Sequence, residues 1–391
     1  MLKAYKYRLL PTSKQIELIN QHIGSVRFLY NLALETKQIT YASKQINLTR
    51  YDLQKQLVEL KNECKWLKEV NSQSLQVALM NLDAAYLRFF KGQSNFPKFK
   101  KKLNNGSFSI PQNVNLKNQK LMIPKFREGI DIILHRVIKG EIRQATITKT
   151  PTGKYFVSIL CETGEQIKPK VKIKEKTTIG IDLGLKSFLV TSDGETIDNP
   201  RFLNKSEAKL KYIQRRYSKN KGKRTKQKLA LLHEKVANQR KDFLHKVSTK
   251  LIRENQSIAI ENLNVEGMLK NHCLAKSISD VGWGMFVEML KYKSEWYGVN
   301  LLQIGKFEPS SKTCSNCGNI NKELTLQIRE WTCKCGSVLD RDVNAAINIK
   351  NFALRNYLSG TDRKNQNELP TLVGVLTSEA SQLATKQFIR L

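Results

Sequence analysis

The sequence predicts a multidomain α/β chain, and three changes of pattern predict it. Apolar residues recur every three or four positions between 12 and 92. They switch to every second position between 107 and 162. From 178 onward, short apolar strands alternate with long helical stretches. At 391 residues, 40% of them hydrophobic, the chain is long enough for two or three cored domains. No run of about 18 apolar residues occurs and the first residues turn polar at once, so neither a membrane span nor a secretory leader is expected.

Residues 1–10 read as a strand broken by Pro11. Thr12 or Ser13 then caps a helix with the face Ile16, Ile19, Ile23, Val26 and Tyr30. Thr49 caps a second helix through Leu53, Leu57 and Leu60. A third begins near Ser72, buries Leu75, Leu79, Leu82, Tyr86 and Phe89, and ends at Gly92. The period-two region holds strands at 120–124, 130–134, 144–148 and 155–160, with a hairpin turn at Thr150-Pro151-Thr152-Gly153. We therefore expect a small β-barrel-like domain (1–11 and 104–168) into which a helical bundle (12–103) is inserted. The lysine-rich stretch 168–176 is a linker, with a boundary near 170.

The third region opens with Thr178-Ile179-Gly180-Ile181-Asp182-Leu183-Gly184-Leu185, a strand on which Ile179, Ile181, Leu183 and Leu185 share one face and Asp182 lies on the other. A turn at Ser192-Asp193-Gly194 makes it the first arm of a three-stranded antiparallel meander. Residues 203–255 read as helical and cationic. A strand, 257–263, carries Glu261, a helix spans 281–299, and a further strand runs over 301–304. Asp340 is an N-cap and Asp342 falls in the first turn of a last helix, where the helix dipole favours an ionised carboxylate. The tail from 358 to 391 is polar and reads as loose.

Charge narrows the function. The chain has 67 Lys+Arg against 34 Asp+Glu, a formal +33, which is best tolerated beside a polyanion. No long basic amphipathic helix with an aromatic face is present, so nucleic acid is the expected partner rather than a membrane. Two stretches stand out. In 96–102, Phe96 and Phe99 interleave with Lys98, Lys100, Lys101 and Lys102, pairing rings that can stack with ammoniums that can meet phosphates. Between Lys205 and Lys228 there are eleven Lys/Arg and one Glu, with Arg215, Arg216, Lys221, Lys223 and Arg224 at the centre.

Two constellations carry chemistry. Asp182, Glu261 and Asp342 lie on two strands and a helix start, rigid mounts for carboxylates whose mutual repulsion favours bound cations. Phosphodiester hydrolysis uses two divalent ions about 4 Å apart, Mg²⁺ or Mn²⁺ in its place, in such a setting. The second is Cys314-Ser315-Asn316-Cys317, a gap of fifteen residues, then Cys333-Lys334-Cys335. Four thiolates in two knuckles can close one structural Zn²⁺ site, with an iron–sulfur centre as the lesser alternative. Seven cysteines with one tight cluster suit a reducing compartment, and Cys64, Cys161 and Cys273 are scattered thiols without an assigned role.

The order strand Asp, later strand Glu, final helix Asp resembles the ribonuclease H-like nuclease fold in its RuvC form. Gly180–Gly184 also resembles the first phosphate loop of actin-like ATPases, but Leu185 and Lys186 stand where small hydroxyl residues are usual and no second such loop follows. The run from Ser311-Lys312-Thr313-Cys314 through Trp331-Thr332-Cys333 into Asp340-Arg341-Asp342-Val343-Asn344-Ala345-Ala346-Ile347-Asn348-Ile349 resembles the C-terminal signature of the TnpB family. Those proteins are transposon-encoded, RNA-guided DNA nucleases related to type V CRISPR effectors. Residues 180–185 and 260–263 resemble the family's first two nuclease motifs, and 5–11 and 28–32 its N-terminal start. Leu339 departs from the pattern, standing where many relatives have His.

The resemblance implies a RuvC-like nuclease at 171–306 and 339–357, interrupted by a zinc ribbon at 307–338. Asp182, Glu261 and Asp342 would be the catalytic acids. A guide RNA would select a double-stranded DNA target beside a short motif read by the N-terminal domains. A monomer with its RNA, in the cytoplasm at the nucleoid, is expected. The readings set against this are a nuclease-inactive RNA-guided repressor and a transposase performing strand transfer.

Overall fold

The computed structural model describes residues 1–103, 105–305, 308–325 and 327–359. The expected tail from 358 lies almost wholly outside them. The chain divides into two compact units between Glu165 and Gln166, a few residues before the composition changes.

The first unit begins with β1 (Leu2–Leu10), α1 (Ser13–Lys44), α2 (Arg50–Glu63) and α3 (Ser72–Phe90). Thr12 and Thr49 each close a capping box, with Gln15 and Asp52 respectively, so both helix starts follow from local chemistry. The unit continues with β2 (Gly106–Ile110), β3 (Asn115–Lys117), β4 (Lys120–Ile123), β5 (Phe126–Ile133), β6 (Glu141–Lys149) and β7 (Tyr155–Glu162). The strands form one sheet in the order β2-β6-β7-β1-β5-β4-β3, so the first strand of the chain sits at its centre, between β7 and β5. Tyr5, Tyr7 and Leu9 of β1 alternate into the core. Among the described residues the hydrogen-bonded ladder runs open from β2 to β3 without closing into a cylinder, where a barrel-like arrangement was expected.

The second unit contains β8 (Thr178–Leu183), β9 (Ser187–Thr191), β10 (Thr196–Asp198), α4 (Phe202–Asn220), α5 (Lys223–Glu254) and β11 (Ser257–Glu261). It continues with α6 (Val265–Met268), α7 (Ala275–Val281), α8 (Trp283–Tyr297), β12 (Asn300–Ile304), β13 (Glu330–Thr332), β14 (Val338–Asp340) and α9 (Arg341–Leu358). Two helical spans differ from expectation. The span 203–255 is broken at Lys221-Gly222, where Lys221 is left-handed. The span 281–299 is cut at Gly282, whose φ of +74° ends α7 before α8 begins.

The main sheet has the order β10-β9-β8-β11-β12. The meander β8-β9-β10 is antiparallel, and β11 and β12 run parallel to β8. Ile179, Ile181 and Leu183 pack on one side with Leu244 and Val247 of α5 and Phe286 and Leu290 of α8. The opposite side is covered by α9. There a Cβ on Gly180 would stand 2.0 Å from the Ala346 carbonyl oxygen and 2.9 Å from the Lys350 backbone nitrogen, so only glycine lets the helix lie this close.

Candidate active site

Asp182 and Glu261 reach the same end of the main sheet because β8 and β11 are parallel and in register, Ile181 opposite Ile260. The seat of α9 on Gly180 brings its N-terminus to that end, and with it Asp342. Asp340 accepts the backbone N–H groups of Asp342 (3.0 Å) and Val343 (2.8 Å), which fixes the first turn. The charges of the three carboxylates are felt at Asp182. Burial, then the Glu261 and Asp342 charges, push the Asp182 carboxyl up to about 7, opposed by Arg341 and Arg329. Among the described residues, no side-chain or backbone donor hydrogen-bonds the Asp182 carboxylate.

The other two acids are held in place. Ser310, buried, donates its hydroxyl to Glu261 Oε1 at 2.5 Å. Arg329 donates Nη1 to both oxygens of Asp342, at 3.1 and 2.8 Å, while Arg341 donates Nε and Nη2 to Oδ1 at 3.1 and 2.9 Å. Sequence reading missed Ser310, 49 positions from Glu261, and Arg329, 13 positions from Asp342, and placed Arg341 only inside a motif. The Arg341 contact is between neighbours, whereas the Ser310 hydroxyl and the Arg329 guanidinium reach their acids only because the ribbon folds back, which no local pattern encodes.

The donor set fits hard divalent cations. Three carboxylates, one of them without a hydrogen-bond donor, and no soft ligand are the hard donor type that Mg²⁺ or Mn²⁺ favours, although among the described residues only the four cysteines bring their ligand atoms within 4.8 Å of one another. Arg329 and Arg341 provide part of the compensating positive charge at Asp342.

The four cysteines of the second constellation come together. Their sulfurs all lie within 4.8 Å of one another, with 3.8 Å between Cys314 and Cys335 and 3.6 Å between Cys317 and Cys333. A tetrahedron with Zn–S bonds of about 2.3 Å has edges of about 3.8 Å, so the cluster fits one Zn²⁺ with no open position. Gly318 and Gly336 follow the two knuckles with φ of +76° and +87°. The ribbon is fastened to α9 by two buried amides. Asn344 Nδ2 donates to the Thr313 carbonyl at 2.7 Å, and Asn348 Nδ2 to the Ser310 and Thr313 carbonyls at 2.8 and 2.6 Å. The same contacts set the position of Ser310 against Glu261.

The basic residues fall into two groups. Arg215, Arg216, Lys221, Lys223 and Arg224 are exposed around the tip of the α4–α5 hairpin. Lys98, Lys101 and Lys102 are exposed in an irregular segment, but Lys100 is tied down. Its ammonium lies 3.8 Å from the Tyr30 ring centroid, and its backbone exchanges hydrogen bonds with the Asn31 amide at 2.8 and 3.0 Å.

Comparison with known proteins follows this division. A family model described as "Probable transposase" matches residues 158–272, which contain Asp182 and Glu261. One described as "Cas12f1-like, TNB domain" matches 283–349, which contain the four cysteines and Asp342. A protein of Streptomyces pristinaespiralis is 38% identical over 377 residues, covering 94% of this chain and 93% of the relative. This chain belongs to the TnpB family. An Escherichia coli K12 relative is 31% identical, with 89% of this chain and 91% of its own covered. Both carry the name "Putative RNA-guided DNA endonuclease", the second with the suffix InsQ. A mimivirus TnpB-like protein, L770, is 24% identical over 90% of this chain and 74% of its own. Among solved structures, a Cas12f1–sgRNA–target DNA complex matches at 15% identity, covering 90% of this chain and 99% of that one, with a TM-score of 0.36. A model described as "Helix-turn-helix domain" matches residues 1–45, which here fold as one strand and a single long helix, β1 and α1.

Proposed function

We propose that this TnpB-family chain is an RNA-guided DNA endonuclease that hydrolyses phosphodiester bonds at Asp182, Glu261 and Asp342. The observation that carries the reading is the partnerless Asp182 carboxylate, raised to about 7 by burial and by two further acids from separate elements. A structural role would have supplied it with a donor. In this reading the five-stranded sheet with α9 is a RuvC-like core of the ribonuclease H type, spanning 171–306 and 339–357. The ribbon, 307–338, is inserted into it and holds one structural Zn²⁺. The domain at 1–11 and 104–168 and the helices of 12–103 engage guide RNA and duplex DNA.

Asp182, Glu261 and Asp342 would hold a pair of Mg²⁺ ions, which supply an activated water and a stabilised leaving oxygen when bound. The chain's own residues do the positioning. Ser310 occupies one oxygen of Glu261 and leaves the other without a side-chain donor among the described residues. Arg329 and Arg341 fix the plane of Asp342, and their charge offsets repulsion among the acids and with an incoming phosphate. Sequence selection is delegated to pairing between guide and target strand. The exposed cations of the α4–α5 tip and of Lys98, Lys101 and Lys102 hold backbone phosphates.

The test is cleavage of a matched DNA duplex by the guide complex with Mg²⁺, comparing wild type with Asp182→Ala. Wild type should cut, and the variant should bind the target without cutting it. Cutting by the variant would overturn the assignment. Intact binding with no cutting by wild type would favour the repressor reading.

A further inference from the structure

Of the three acids, Asp342 is the one whose oxygens are occupied. Arg329 Nη1 donates to its Oδ1 and Oδ2 at 3.1 and 2.8 Å, and Arg341 Nε and Nη2 donate to Oδ1 at 3.1 and 2.9 Å. Among the described residues, Glu261 accepts a single side-chain donor and Asp182 none. We propose that Arg329 is an autoinhibitory latch, which competes with a divalent cation for Asp342 and must swing away before the centre can close; the proposal rests on the nuclease reading above.

A single nitrogen within reach of both Asp342 oxygens stands in the mouth of the carboxylate, where a chelated cation would sit. A Mg²⁺ held by either oxygen at about 2.1 Å would lie beside a full positive charge. Cation and guanidinium therefore exclude each other at this acid. The arrangement of the three carboxylates agrees. Their backbones are fixed, since β8 and β11 pair in register and α9 rests on Gly180. Yet among the described residues only the four cysteines bring their ligand atoms within 4.8 Å of one another, and the three acids do not. With the backbones set, side-chain rotation is what remains to gather the oxygens, and at Asp342 that rotation is held by the two arginines.

Of those two, Arg329 is the one that can leave. Arg341 is the neighbour of Asp342 on α9 and its side chain is only 12% exposed, so it moves with the acid and continues to hold its plane. The Arg329 side chain is 39% exposed and comes from the segment before β13. Its carbonyl accepts the Arg341 N–H at 2.7 Å, which ties the backbone and leaves the side chain to turn about its own bonds. An ion pair this open to solvent is weak enough for a doubly charged ion to displace. There is also space to turn into. Arg329 borders a cavity of about 560 Å³ that none of the three acids lines. Lys186, Arg201 and Lys276 line the same cavity, and their like charge keeps the guanidinium on Asp342 until a cation arrives there. The two positions of one side chain thus make a switch with a closed resting state.

The test is Mn²⁺ binding by the zinc-loaded, full-length chain, read from the electron paramagnetic resonance signal of the free ion. Arg329→Ala should bind Mn²⁺ about tenfold more tightly than wild type. Arg329→Lys keeps the charge but loses the fork, and should gain about threefold. The gain should vanish when Arg329→Ala is combined with Asp342→Asn, leaving the affinity of Asp342→Asn alone. Zinc content and Tm of each variant report an intact ribbon; if Arg329→Ala loses its zinc, Arg329→Lys decides. Affinity equal to wild type in the Arg329 variants overturns the latch. So does a gain confined to Arg329→Ala, which the loss of a nearby charge explains by itself. Unchanged Arg329 variants beside weaker binding by Asp182→Asn would sink the latch and spare the nuclease reading. Tightened binding in a chain that cuts no guided target would remove the nuclease reading and leave the latch standing.

Discussion

At the scale of single residues, the carboxylates depend on neighbours that do no chemistry themselves. In the proposed nuclease Ser310 would be a positioning residue for Glu261, through a short, charge-assisted bond. Such a bond contributes about 1.5–3 kcal/mol, so Ser310→Ala should lower the cutting rate about 10- to 100-fold, while Ser310→Thr, which keeps the hydroxyl, restores most of it. Single-turnover cleavage with target binding measured in parallel checks this. Asp182 makes the opposite prediction for stability. Replacing it by Asn removes like-charge repulsion, so the metal-free Asp182→Asn chain should melt about 2–4 °C higher than wild type while failing to cut. Differential scanning calorimetry in chelator reads the shift. His22 sets an acid limit on the first unit. It is fully buried, its Nδ1 lies 2.8 Å from the Leu18 carbonyl oxygen, and its Nε2 accepts the Asn71 N–H at 3.0 Å. Burial lowers its pKa to about 4, with Lys125 adding to the effect. The unfolded chain, with a pKa of about 6.5, takes up the proton first on acidification. The contribution is therefore complete above pH 6.5 and is lost as pH falls toward 4, by about 3 kcal/mol in all. Urea midpoints between pH 7 and 4.5 should fall accordingly, and His22→Gln should flatten that dependence.

At the scale of elements, α9 is the part through which packing would set the proposed chemistry. One of its faces rests on β8 at Gly180, its first turn carries Asp342, and Asn344 and Asn348 hold the ribbon. A side chain at position 180 must push the helix away, because the atoms met first are backbone. Gly180→Val is expected to destabilise by about 3 kcal/mol or more and to cost cutting beyond what stability explains, since it displaces Asp342 from Asp182. A urea titration beside cleavage measured well below the midpoint separates the two effects. The ribbon is coupled to the same centre through Ser310 and Arg329. Removing zinc with a strong chelator should abolish cutting and speed amide exchange over residues 308–340, with the five-stranded sheet still protected.

At the scale of the whole molecule, the formal charge of +33 dominates association. Binding of nucleic acid should weaken steeply with salt. Neutralising Arg215, Arg216, Lys223 and Arg224 together should flatten the slope of log K against log salt by about one for each phosphate that is no longer neutralised. An unchanged slope would mean that the α4–α5 tip faces solvent in the complex.

Much of this was readable along the chain, for a physical reason. Helix caps at Thr12 or Ser13 and at Thr49, the period change near 107, the meander after Thr178 and the cysteine spacing are patterns over a few residues, so residue type and spacing are enough to specify them. The partners of the acids are different in kind. Whether Ser310 meets Glu261, whether Arg329 meets Asp342, and why residue 180 must lack a side chain depend on segments from 13 to about 170 positions apart coming together. Strand order, the open edge of the first sheet and the cavity beside Arg329 are likewise decided by packing. Composition names the chemistry available to this protein; only the folded arrangement determines which groups share it.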